Sequence, residues 1–404
     1  MQLQVHDSLK HKVANAKVDE IIRKCVHCGF CNATCPTYQI LGDERDGPRG
    51  RIYLINEVLQ SGTSNEVVTR HLDRCLACRS CETTCPSGVE YSKLLDFTRE
   101  LNETLRPRSI VQRAWRSILT RFLLSRELFS AAIRVADAFA GLLPGKMARF
   151  IPRISKAEPW PASRHKRKML LLEGCVQSSL APSIDVAAAK VLDRCGISLE
   201  VVQLAGCCGA MKQHLGKAEE ARSQAKRNID ACWEGLENGA EAVVMSSSAC
   251  SLMLKEYPLL LAEDSKYLEK AKRLAAMSKD LSEVVLQTVK PPALTSQLGR
   301  IAYQAPCSLQ HGHKQVGGVE ALLEGHGYEL VETEDKHLCC GSAGTYSILQ
   351  RNLSQQLLRK KLDKLEQAQP QLIATANIGC LVQLQSKSSV PVKHWIELLA
   401  EVAA

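Results

Sequence analysis

The sequence predicts an α+β chain: a mainly α-helical N-terminal domain organised around cysteines, followed by two repeated α/β domains. Three observations predict it. Two runs near the N-terminus, Cys25 to Pro36 and Cys75 to Pro86, both read C-x2-C-x2-C-x3-C-P. The second half repeats itself, with Cys175, Cys207, Cys208 and Gly209 recurring as Cys307, Cys339, Cys340 and Gly341 at a common offset of 132 residues. Within each copy, short apolar runs alternate with longer stretches of helical periodicity, the pattern of βαβ units around a parallel sheet.

Composition bounds the function. With 404 residues, 45% of them apolar, the chain can bury a sizeable core, and its length suits about two to four domains. Eighteen cysteines, with no apolar stretch in Met1 to Lys24 of the kind that opens a secretory signal, point to a reducing, cytoplasmic setting and to metal ligation. No run of about 18 uncharged apolar residues occurs, so no transmembrane helix is expected. The net charge of +9 permits an anionic partner or lipid surface. It does not indicate nucleic acid, for which the 18 aromatic residues supply few stacking platforms.

The two cysteine runs carry the most specific signal. A C-x2-C-x2-C-x3-C-P run holds [4Fe-4S] clusters in ferredoxin-type proteins with two clusters, and its fourth cysteine serves the cluster of the other run. By that rule one cluster takes Cys25, Cys28, Cys31 and Cys85, and the other takes Cys35, Cys75, Cys78 and Cys81. Pro36 and Pro86 lack an N–H and fix φ, turning the backbone just after each exchanged cysteine. C-x2-C alone also suits zinc, but a third cysteine at the same interval and a trailing Cys-Pro, both present twice, favour iron and sulfur. His27 reads as a polar loop residue.

In chain order, Val18 to Lys24 is a short helical pattern that leads into the first run. Gly47-Pro48-Arg49-Gly50-Arg51 makes a turn, and Ile52 to Leu59 continues with helical spacing. Arg49 and Arg51 are either neighbours of the clusters, whose negative charge they would offset, or part of a solvated turn. Val89 to Leu101 should be another helix. From about Pro107 to Lys156, apolar residues such as Ile110, Val111, Trp115, Ile118 and Phe122 recur at helical intervals among Arg106, Arg108, Arg113, Arg116, Arg121, Arg126 and Arg134. A basic amphipathic helix of this kind lies on an anionic membrane, docks on a partner, or packs between domains of its own chain. Pro144-Gly145 and Pro152 should break it. Glu158 to Lys168 reads as a linker.

In the repeated half, the cysteines fall at the ends of expected strands and should converge on the carboxyl edge of each sheet, the usual ligand crevice in such folds. Cys250 recurs as Cys380 at an offset of 130. The candidate residues there are Cys175, Cys207, Cys208, Cys250, Cys307, Cys339, Cys340 and Cys380. A cluster of unusual geometry, a redox thiol pair and a structural remnant all remain open for them. Cys195 and Cys232 read as small buried apolar residues. The expected domains are 1–105, with two [4Fe-4S] clusters; 106–165, a basic helical connector; 166–290; and 291–404. No G-x-G-x-x-G follows a strand and no P-loop occurs, so no flavin or nucleotide site of its own is expected.

A dicluster run followed by two Cys…Cys-Cys-Gly…Cys domains resembles the iron–sulfur subunits of glycolate oxidase (glycolate dehydrogenase). That group belongs to a cysteine-rich family which also serves heterodisulfide reductase, anaerobic glycerol-3-phosphate dehydrogenase and lactate-utilisation complexes. The resemblance covers nearly the whole chain and includes Gly47-Pro48-Arg49-Gly50-Arg51-Ile52-Tyr53. The family's last motif is a C-x2-C pair, whereas this chain has Ser247 and Asn377 at the first position of that pair. The resemblance therefore implies the eight N-terminal ligands and leaves the Cys-Cys-Gly residues as candidates, with an additional cluster open there. It implies a hetero-oligomer with FAD only on partner subunits, which oxidise glycolate to glyoxylate. This chain then carries electrons to a quinone or other acceptor and has no catalytic residue of its own, on the cytoplasmic face of the inner membrane as a peripheral protein. Lactate or glycerol-3-phosphate dehydrogenase complexes, and a thiol/disulfide catalyst like heterodisulfide reductase, are the alternatives.

Overall fold

The computed structural model describes residues 3–139, 158–290 and 298–402. Its first part is helical throughout. Short helices precede each cysteine loop, and two longer ones, α1 (Pro48–Ser61) and α2 (Tyr91–Leu105), supply the framework. Helix α1 starts where the sequence places a turn, with Pro48 at its first position and Gly47 as N-cap, because proline's missing N–H would be unpaired there in any case. Its inner face, Ile52, Ile55, Val58 and Leu59, packs with Ile22, Leu72, Leu94 and Leu95 into one core.

After α2 come α3 (Ile110–Leu124) and α4 (Arg126–Phe139). The expected basic stretch is thus two helices, joined at Ser125, whose β-region backbone ends α3. The break expected at Pro144-Gly145 and Pro152 lies outside the described residues. The stretch read as a linker is not a loose tether where it is described. Trp160 Nε1 donates to the Leu199 carbonyl at 3.1 Å, and Arg164 and His165 both reach the Asp193 carboxylate.

The repeated half forms two four-stranded parallel sheets. The first has the order β2-β1-β3-β4, from β1 (Arg167–Leu171), β2 (Ile197–Val201), β3 (Val243–Met245) and β4 (Ser278–Asp280). The second has the order β6-β5-β7-β8, from β5 (Gly299–Gln304), β6 (Tyr328–Leu330), β7 (Leu372–Thr375) and β8 (Val392–His394). Equivalent strands occupy equivalent places, so the sequence repeat is a structural repeat. This is the α+β architecture expected, with a helical N-terminal part and two α/β units.

The copies face each other about a pseudo-two-fold axis. In chain order the relevant helices are α5 (Pro182–Arg194), α6 (Leu281–Thr288), α7 (Gly318–Gly325) and α8 (Trp395–Val402). Helix α5 packs on α8, and α6 packs on α7. Because α5 corresponds to α7 and α6 to α8, the same kind of contact is made in both directions, as in an isologous dimer. At the axis Ser247 Oγ donates to Asn377 Oδ1 at 2.7 Å. A single apolar core runs through the interface, from Leu171 and Ile184 to Ile373, Trp395 and Leu399.

Candidate functional site

The two N-terminal loops are built alike. His27 and Gly29 in the first, and Ala77 and Arg79 in the second, all have positive φ, between 53° and 86°. Left-handed residues in a tight loop turn nearby backbone N–H groups toward one concavity, which suits an anionic group. Glycine adopts φ +86° freely at position 29, whereas Arg79 holds φ +61° against a steric penalty of about 1 kcal/mol or more. Packing holds Arg79 in place: its guanidinium pairs with Glu256 of the first repeat.

The eight cysteines gather around two adjoining cavities. One is lined by Cys25, Cys28, Cys31 and Cys85. The other is lined by Cys35, Cys75 and Cys78. Cys81 borders both, as do Pro48 and Tyr91, so the cavities share a wall. The fourth cysteine of each run is thereby found with the first three of the other. None of the chain's cysteines is in a disulfide.

The Gly47-Pro48-Arg49-Gly50-Arg51 segment passes between the cavities, with Arg49 lining the first and Arg51 the second. Arg49 Nε donates to Glu44 at 2.6 Å, and its head lies over Gly29, where a Cβ would come within 2.6 Å of it. Gly50 has no room for a side chain either, since a Cβ there would meet the Glu44 carbonyl at 2.1 Å. Arg51 is fully buried. It donates to the His71 carbonyl at 2.8 Å and to Thr37 Oγ1 at 3.1 Å, and lies 3.5 Å from Asp46.

Asp46, also fully buried, is met by His71 Nδ1 at 2.9 Å and by Arg74 at 2.8 Å. This network joins the loop of Cys35 to that of Cys75, the two sides of one cavity. Sequence reasoning missed Asp46, His71 and Arg74; the only available signal was an acidic residue just ahead of the Gly-Pro-Arg turn. It also missed Tyr91, whose hydroxyl reaches Cys75 Sγ at 3.9 Å.

The donor set suits iron–sulfur clusters. Burial pushes Cys31 up to about 11 and Cys78 and Cys81 well above the usual thiol range, and neighbouring thiols push the same way. Four thiolates crowded so closely need a multivalent cation among them. The residues present, eight thiols around two cavities with Cys81 in their shared wall and a cation beside each, fit such groups.

In the repeats, the cysteines follow the carboxyl ends of the strands, as expected for this topology. Cys175 follows β1, Cys207 and Cys208 follow β2, and Cys250 lies in the helix after β3 (Ser248–Lys255). Side-chain contacts link Cys175 to Cys207, and Cys208 to both Cys207 and Cys250. The donated thiol hydrogen bonds hold Cys207 well below the usual thiol range. In the second copy, contacts link Cys307 to Cys339 and Cys339 to Cys340, and Cys340 Sγ lies 3.4 Å from Cys380 Sγ. Asn377 reaches Cys380 Sγ with Nδ2 at 3.7 Å.

Only the second of these groups touches the N-terminal cavities. Cys78, Cys307 and Cys339 share one apolar cluster with Leu76, Tyr346 and Leu357, and Tyr346 Oη donates to the Arg74 carbonyl at 3.1 Å. The buried ammonium of Lys361, bonded to the carbonyls of Asp335 and Lys336, lies near Cys339, Cys340 and Cys380. Cys232 is a fully buried residue of the apolar core that also holds Cys207 and Cys208, as expected of a small apolar side chain, whereas Cys195 is only partly buried.

The comparisons with known proteins follow the same division. A 4Fe-4S dicluster domain family matches residues 21–89, and a cysteine-rich domain family matches residues 169–255 and 301–385. The chain is 43% identical over 402 residues to the glycolate oxidase iron–sulfur subunit of Escherichia coli K12, covering 99% of each chain. It is 28% identical to a probable glycolate oxidase iron–sulfur subunit of Bacillus subtilis, covering 99% of this chain and 97% of that one. Lactate utilization protein A of Geobacillus thermodenitrificans is 28% identical over 240 residues, 57% of this chain and 98% of that one. A hypothetical protein of Helicobacter pylori has a similar fold, with a TM-score of 0.55 at 9% identity over 88% of this chain and 67% of that one.

Proposed function

The chain belongs to the family of glycolate oxidase iron–sulfur subunits, and from that premise we propose that it is the electron-transfer subunit of a complex oxidising glycolate to glyoxylate. FAD-bearing partner subunits would remove the hydride equivalent, and a membrane quinone would receive the electrons. The observation that carries this reading is the gathering of eight cysteines around two cavities that share a wall at Cys81. We assign Cys25, Cys28, Cys31 and Cys85 to one [4Fe-4S] cluster and Cys35, Cys75, Cys78 and Cys81 to the other. Such clusters, when bound, take up and release electrons singly, which is the chemistry needed between a two-electron flavin and a distant acceptor.

The residues of the chain set the direction. Cys28 is exposed, with Val26, Phe30 and Tyr53 exposed beside it, so the first site opens to the surface, where a partner can approach. The second site is closed over by Tyr346 and Leu76 and lies against Cys307 and Cys339. Arg49 and Arg51 place positive charge against the two sites, which favours the more negative, reduced state. The division of the chain at 105, 165 and 290 fits this scheme, with the second repeat next in line after the second site.

The test is composition and coupling. Purified anaerobically, the chain should hold about eight irons, show two interacting cubane signals on reduction, and bring down FAD-containing partners. Zinc in place of iron, or a flavin complex that reduces quinone with glycolate at full rate without this chain, would refute the proposal. The alternative of thiol/disulfide catalysis is disfavoured by the burial of Cys207, Cys208, Cys339 and Cys340. It would be revived if alkylating those thiols in the native complex abolished turnover while both cubane signals remained.

A further inference from the structure

Helix α3 is turned inside out. An amphipathic helix on the surface of a globular protein faces its apolar stripe inward, yet here Val111, Trp115, Ile118 and Phe122, spaced along one face, are 78%, 53%, 62% and 37% exposed. The face that meets the rest of the chain is held largely by polar contacts. Arg116 pairs with Asp73 at 2.9 Å, and Lys212 Nζ donates to Thr120 Oγ1 at 3.0 Å. Leu119 is the buried apolar residue beside them. Leu128 on α4 is also exposed, at 59%, and Phe122 meets Phe129 edge to face, 5.7 Å between ring centres.

Charge is concentrated in the same segment. Residues 107–157 hold ten Lys and Arg against two Asp and Glu, so this stretch carries +8 of the chain's +9. Helix α3 has no acidic residue, and Arg113 and Arg121 are exposed along it. No helix among the described residues is long and apolar enough to cross a membrane.

We infer that the outer face of α3 is a membrane-docking surface for anionic phospholipid, with Trp115, Ile118 and Phe122 entering the headgroup boundary and Arg121, at the edge of the same face, meeting a lipid phosphate. An apolar stripe with an interfacial Trp, edged by the Arg121 cation, free of carboxylates and set in a strongly basic segment, is what an anionic bilayer selects. A protein interface has no need to exclude acidic residues from the whole helix. The inference rests on the proposed delivery of electrons to a membrane quinone and names the surface that would bring the chain there.

The experiment uses the full-length chain with its clusters, co-sedimented with vesicles of phosphatidylcholine alone or with about 30% phosphatidylglycerol. Wild type should bind the anionic vesicles and lose most binding at high salt. Ile118→Asp and Trp115→Ser, both at exposed positions, should partition about tenfold more weakly, with unchanged iron content and unchanged reduction of a soluble dye by the assembled complex. Equal binding to neutral and anionic vesicles, or no loss in either variant, overturns the inference. So does loss of partner assembly with vesicle binding intact, which would make the face a protein interface. A complex that binds vesicles through α3 but does not reduce quinone would instead overturn the functional proposal and leave this inference standing.

Discussion

Asp46→Asn should be among the most damaging conservative substitutions in the chain. The carboxylate is fully buried and lies 2.9 Å from His71, 2.8 Å from Arg74 and 3.5 Å from Arg51, itself 1% exposed. Asparagine keeps the shape but removes the charge and turns an amide donor toward groups that are themselves donors. Removing one member of a buried ionic network leaves the others unpaired, at about 3–5 kcal/mol. Arg51→Met should cost less, because Asp46 keeps Arg74 and His71. The double variant should be less damaged than the sum of the two, by about 1–3 kcal/mol. The network ties the Cys35 loop to the Cys75 loop, so the loss should appear first at the cavity those loops share. The assay is urea unfolding of the iron-loaded chain, with iron analysis and electron paramagnetic resonance of the survivor. Iron should fall from about eight toward four as one cubane signal disappears. An unchanged unfolding midpoint with full iron would refute the reasoning.

Three further outcomes follow from the geometry. Cys35→Ser should remove the signal of the site lined by Cys75 and Cys78 and spare the one lined by Cys25, Cys28 and Cys31, while Cys85→Ser should do the reverse. Loss of the signal from a substituted cysteine's own run would overturn the exchange. Asp185, buried beside Gln177 and Ser246, is pushed up to about 7 by burial. Its folded value lies above the unfolded value of about 3.9, so this group's contribution to stability is fullest below about pH 4 and is lost as pH rises toward 7, by about 4 kcal/mol in all. Urea midpoints at pH 5 and pH 8 should therefore converge in Asp185→Asn; an unchanged pH slope in that variant would exclude the residue as the cause. Arg79→Ala should loosen the contact with Glu256, whose own carboxyl burial raises. It should speed proteolysis of the N-terminal part without changing the first cubane signal.

The parts of this architecture that the sequence made legible are those in which residue type and chemistry coincide. A cysteine at a fixed interval has few other uses, so the runs at Cys25 and Cys75 and the repeat from Cys175 to Cys380 could be read directly. Glycines forced by close approach, such as Gly50 against the Glu44 carbonyl, were visible as part of a motif. Asp46, His71 and Arg74 were not, because a buried ion network is assembled from residues that look like ordinary surface charges until the fold brings them together. The reciprocal packing of α5 on α8 and α6 on α7 was equally hidden. A repeat announces equivalent elements but not which faces they turn to each other. The basic stretch was recognised as amphipathic, yet which side faces the chain depends on Asp73 and Lys212, far from it in sequence.

The placement of the N-terminal part between the repeats gives the pseudo-symmetric half an asymmetric role. Arg79 and Arg222 reach Glu256 and Glu100 across the boundary with the first repeat, while Thr83 meets His311 at 2.8 Å and Tyr346 meets Arg74 at the boundary with the second. Both repeats therefore grip the same small domain, but only the thiols of the second lie beside one of its cavities. Two copies that began alike would then be under different constraints: the second must keep Cys307 and Cys339 in contact with Leu76 and Cys78, whereas the first need only hold Arg79 and support α3. If the repeat thiols take part in electron transfer, replacing Cys339 should alter the signal of the neighbouring cubane site, and replacing Cys207 should not. Equal effects from both would mean that the pseudo-symmetry, and not the contact with the N-terminal domain, governs what these cysteines do.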